Sequence, residues 1–78
     1  MKKKYSKKNT LFNSLNYWIE NFTLANGFNR SNLVLTINQS GESELINQLD
    51  SDDLSNFFGL DVFRDDLLDN GHFVLGKK

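Results

Sequence analysis

Cysteine is missing from this chain, so no disulfide reinforces it and no thiolate is available to hold a metal. A reducing compartment is the natural setting for such a sequence. Proline is also missing, arginine occurs only at Arg30 and Arg64, and asparagine and lysine are abundant. That bias suggests an AT-rich coding sequence, as in a low-GC bacterium or the phages and mobile elements it carries. Long hydrophobic runs are absent as well: Asn13, Ser14, Asn16, Glu20 and Asn21 break up the stretch after the N-terminal lysines, which excludes a secretory leader. No segment reaches the ~18 apolar residues of a membrane span, and the expected location is the cytoplasm.

Catalytic equipment is equally sparse. The one histidine, His72, has no obvious orienting neighbours, and a lone imidazole does not make a triad. The five glycines are scattered singly at the ends of expected elements, so no phosphate-binding loop is present. Asp50, Asp52, Asp53 and Asp61 faintly resemble a calcium loop, but Leu54 and Ser55 stand where that loop needs an oxygen ligand and a glycine. Helix-capping carboxylates are the simpler reading. An enzyme built on these aspartates alone would require a metal, and the expectation is a non-catalytic protein without cofactor or metal.

What the sequence does have is a partition of charge. Residues 1–8 carry five lysines and no acid, while residues 42–70 carry nine acids against Arg64 alone, although the whole chain of 78 residues has a net charge of only −1. The basic stretch lacks apolar periodicity and repels itself, so residues 1–9 read as a flexible tail and residues 10–78 as a single α+β domain.

From Thr10 onward, Leu11, Phe12, Leu15, Trp18, Ile19, Phe22 and Ala25 fall within an arc of about 140° at helical spacing, which predicts a long helix over about 10–26. Asn26-Gly27 suits its end. Leu33 to Ile37 alternate as a strand, and Gln39-Ser40-Gly41-Glu42 reads as a turn returning through a second strand over 44–49. Asp50 or Ser51 then caps a short helix stopped by Gly59, a further helix covers 61–69 and is expected to bury Leu60, Phe63 and Leu67, and His72 to Leu75 form a final strand. The expected order is α-β-β-α-α-β: a three-stranded antiparallel sheet packed against the long N-terminal helix.

Helical spacing over 61–69 would place Asp61, Asp65 and Asp69 on one stripe, widened by Asp66 and by Asp52 and Asp53 of the preceding helix. Two helices joined at Gly59 resemble a helix-turn-helix in spacing, but this acidity repels a duplex. It suits a basic surface on another protein instead. Tyr17 and Leu24 lie off the buried arc of the first helix, either packed under the loop at Phe28 or exposed as part of an interface. The expected function is a protein-binding regulator or inhibitor, encoded by a phage or mobile element. Its expected target is a host protein with a basic surface, such as a defence or nucleic-acid-handling factor of the CRISPR kind. Self-association to a homodimer is open. The alternative is a nucleic-acid-binding regulator, with Lys2, Lys3, Lys4, Lys7 and Lys8 on phosphates and Tyr5 stacking on a base.

Overall fold

Thr10 sets the start of the first helix: its backbone is extended and its hydroxyl accepts a hydrogen bond from the Asn13 N–H at 3.3 Å. In the computed structural model, which describes residues 2–27 and 29–78, this helix is α1 (Leu11–Ala25). It buries Leu11, Leu15 and Ile19 completely, with Phe12, Trp18 and Phe22 packed beside them. Ala25, expected on the buried arc, is exposed. Gly27 takes the left-handed conformation (φ 69°) that lets the chain turn away.

A single 3₁₀ turn (Arg30–Asn32) leads into β2 (Leu33–Ile37), where Leu33, Leu35 and Ile37 are buried and Val34 and Thr36 face the other way. The expected hairpin does not follow. Asn38 instead caps α2 (Gln39–Leu49), its side-chain oxygen accepting from the Gly41 N–H at 2.9 Å. Gly41 serves close packing here, not a turn. A β-carbon at that position would lie 3.2 Å from Leu11 Cδ2 and 3.3 Å from the Tyr5 hydroxyl. Leu45 is then buried, with Ile46 and Leu49 beside it, a helical spacing that a strand cannot satisfy on one face.

After Asp50, which adopts the left-handed conformation (φ 52°), the side chain of Asp53 caps the short helix α3 (Leu54–Phe58). Gly59 ends it at φ 73°. The expected helix over 61–69 is absent: Asp61–Arg64 form a strand, β3, and residues 65–71 form a loop. β3 pairs in parallel with β2, with Leu35 beside Val62 and Ile37 beside Arg64. β4 (His72–Lys77) pairs antiparallel with β2. A fourth strand, β1 (Lys2–Lys4), comes from the stretch read as a flexible tail and pairs antiparallel with β4.

The chain is therefore a small α+β domain with three α-helices and a four-stranded mixed sheet in the order β1-β4-β2-β3 among the described residues. The helices, with Leu11, Leu15, Ile19, Leu45, Leu54 and Phe58, share one core with the sheet face carrying Leu33, Leu35, Ile37, Phe73 and Leu75. The opposite face carries Val34, Thr36, Phe63, Val74 and Gly76. Among the described residues no helix is long and apolar enough to cross a membrane.

Candidate interaction site

The loop from Arg64 to Asn70 is braced at almost every residue. Arg64 donates from Nη2 to Asp66 Oδ2 at 2.9 Å and from Nε to Asp66 Oδ1 at 3.1 Å, a forked pair. Asp66 Oδ1 also accepts from the Gln39 N–H at the start of α2, at 3.0 Å. These hydrogen bonds, Arg64 first, hold the Asp66 carboxyl below its ordinary range and raise the Arg64 guanidinium above its own. Asp65 Oδ1 accepts from the Leu67 N–H at 3.0 Å, closing a tight turn. Buried Asn38 then ties the far side down, donating from Nδ2 to the Leu68 carbonyl at 3.0 Å and to Asn70 Oδ1 at 2.9 Å.

At the apex of this frame Leu67 is 94% exposed. The hydrogen bonds beneath it keep the side chain projecting instead of letting the loop fold it back onto the surface. Asp65 and Asp69 flank it, and Asp69 lies 3.8 Å from Lys2 Nζ across two exposed side chains, a contact that water screens.

The acidic residues singled out from sequence do not form one stripe, since the helix that would align them is not there. Asp61 opens β3 and is paired with Lys78 at 2.7 Å. Asp52 and Asp53 sit before α3, with Asp53 occupied in capping. Asp65, Asp66 and Asp69 lie past the other end of the strand. The structure thus brings the last three together and leaves Asp52, Asp53 and Asp61 elsewhere.

Tyr17 and Leu24 are exposed at 59% and 77% and, with Glu20, Asn21 and Ala25, line a shallow groove of about 260 Å³ along α1. Phe28, expected to cover them, lies outside the described residues. The N-terminal lysines are divided by strand alternation. Lys2 and Lys4 are exposed, while Lys3 turns inward and stands 3.7 Å from the centre of the Trp18 ring. Tyr5 is half-buried with its ring 6.4 Å from that of Phe73, and burial first and Glu44 second raise its hydroxyl pKa. Lys7 and Lys8 are exposed in the connection to α1. His72 turns Nδ1 toward the Asn70 carbonyl at 3.2 Å.

Two residues that matter here carried no signal in the sequence. Asn38 is one asparagine among many, and Leu67 looked like a core position on a helix. No family model, curated protein or solved structure matches this chain. What the geometry defines is a class: a two-layer α+β domain that displays an ordered loop with an apolar tip.

Proposed function

We propose that this protein is a non-catalytic binding regulator or inhibitor that docks on another protein through the Arg64–Asn70 loop. The exposure of Leu67 at the tip of a braced loop carries the reading. A loop already fixed in place loses little conformational entropy on docking, and its exposed leucine supplies an apolar anchor for a pocket of the target. Asp65 and Asp69 beside it favour a target whose pocket is rimmed by lysine or arginine. The AT-rich composition supports a phage or mobile-element origin and a host-cell cytoplasmic target, with defence and nucleic-acid-handling proteins, CRISPR effectors included, as the class to screen first.

The test is affinity capture from a low-GC host with tagged wild type beside Leu67→Asp and Asp69→Lys. One host protein retained by wild type and released by both variants supports the proposal. Equal retention by all three overturns the loop as the site.

A second reading has its own observation. Lys2 and Lys4 stand together on the sheet face that the helices leave open, and this supports contact with nucleic acid. A mobility shift at low salt that is lost in Lys4→Glu/Lys7→Glu/Lys8→Glu would favour it; no shift with either single strands or duplex would end it.

A further inference from the structure

The open face of the sheet can be read row by row from the strand register. β1, β2 and β3 run in one direction and β4 in the other. One row crosses the sheet as Lys2, Val74, Thr36 and Phe63. The row below holds Gly76, Val34 and Asp61. The row above begins with Lys4 and His72 and ends at Asp65, whose N–H still donates to the Ile37 carbonyl at 2.9 Å and so continues the ladder past β3. The face is therefore basic along β1 and apolar through its centre, with the Asp65 carboxylate just past the end of β3 while Asp61 at its start is paired with Lys78, and Phe63 is 57% exposed on it.

We infer that this face is a self-association surface, on which a second copy of the chain packs sheet on sheet about a two-fold axis parallel to the strands. That operation lays β1 over β3 of the second copy and β4 over its β2. Lys4 then faces Asp65 of the second copy, the aliphatic stem of Lys2 faces Phe63, Val74 faces Thr36, and Gly76 leaves room for Val34. Every contact occurs twice, as a two-fold requires. A two-fold perpendicular to the strands would instead stack the lysine edge on itself, so charge selects one axis and rejects the other. Packed sheets lie ~10 Å apart and cross at about −30°, a gap that lysine side chains span and a rotation that the central rows absorb.

Four strands ~4.8 Å apart and three rows deep give a face of roughly 400 Å² in projection. Interfaces of that order, below about 1,200 Å² in total, belong to reversible complexes. The association is thus concentration-dependent, and it shares only Asp65 with the docking loop that carries Leu67.

Sedimentation velocity over a concentration series at low salt tests it. The mass should rise from one chain toward two. Lys4→Asp and Asp65→Lys should each weaken the dimer about tenfold, the loss of two symmetry-related ion pairs. The combined Lys4→Asp/Asp65→Lys variant should restore it, because the exchanged charges face each other again. Phe63→Ser, which touches neither charge, should also weaken it, with an unchanged circular dichroism spectrum confirming that the variants are folded. A single-chain mass at every concentration overturns the inference, as does a dimer that none of these variants weakens. A monomer that instead binds a fluorescein-labelled single-stranded oligonucleotide in a Phe63-dependent manner also overturns it and assigns the face to nucleic acid.

Discussion

Asn38 and Asn70, 32 positions apart, are joined by a 2.9 Å hydrogen bond between their side chains, and the same Asn38 caps α2. One buried amide thus fixes both the start of a helix and the far side of the exposed loop. Asn38→Asp keeps the capping oxygen but loses both donated bonds, and Asn38→Ala loses all three. Thermal unfolding should show Asn38→Ala destabilised by about 2–4 kcal/mol and Asn38→Asp also destabilised, with a carboxylate left facing two acceptors. Amide exchange of Leu67 and Leu68 should quicken in both.

Leu67 and the framework beneath it should separate cleanly. Since its side chain meets almost nothing, Leu67→Asp should change stability by less than about 0.5 kcal/mol, measured by denaturant titration. The same substitution should abolish capture of the proposed partner. A large stability change would mean that Leu67 is packed after all.

Gly41 lies where α2 crosses the start of α1. Gly41→Val would press a branched side chain against Leu11, Tyr5 and Ile37, where even one β-carbon meets atoms at 3.2, 3.3 and 3.4 Å. The expected loss is about 2–3 kcal/mol, visible as a lowered melting temperature.

Trp18 is the chain's single tryptophan, and Lys3 stands on its ring. Lys3→Met keeps the aliphatic stem and removes the charge. It should shift the tryptophan emission and cost about 0.5–1 kcal/mol. An emission spectrum identical to that of the parent would show that β1 does not rest on α1 in solution.

Acid should act on the loop through Asp66. Its carboxyl pKa is lower in the folded state than its ordinary 3.8, so the pair with Arg64 stabilises the fold fully above that value. The contribution fades as pH falls through the folded pKa. Asp66→Asn should therefore flatten the dependence of stability on pH below about 4 and leave the alkaline side unchanged. Tyr5 has the opposite sign: its raised hydroxyl pKa gives a contribution present below 10.0 and lost as pH rises through the folded value. Tyr5→Phe should remove that alkaline dependence.

The parts of this fold legible in the sequence are those whose signal is local. α1 shows its buried arc and its cap within one segment, and β2 shows strict alternation from Leu33 to Ile37. Where the reading failed, a residue type had two physical uses. Gly41 reads as a turn, but the glycine is there so that α2 can approach α1 and β2. Leu60, Phe63 and Leu67 have helical spacing, yet only Leu60 is buried, and parallel pairing with β2 is a long-range choice that spacing does not reveal. β1 has no apolar signature at all, being an edge strand made of lysine. The acidic residues of the loop were identifiable by type, but their arrangement depended on the element that was misread.

The lysines of β1 also govern what the sheet does at high concentration. Sheets elongate into fibrils when the outermost strand recruits another, and a rim studded with ammonium groups repels any strand like itself. Lateral growth on that side is closed, leaving the four-residue rim of β3 as the other outer strand. Concentrated solutions of the protein should accordingly stay clear instead of gelling.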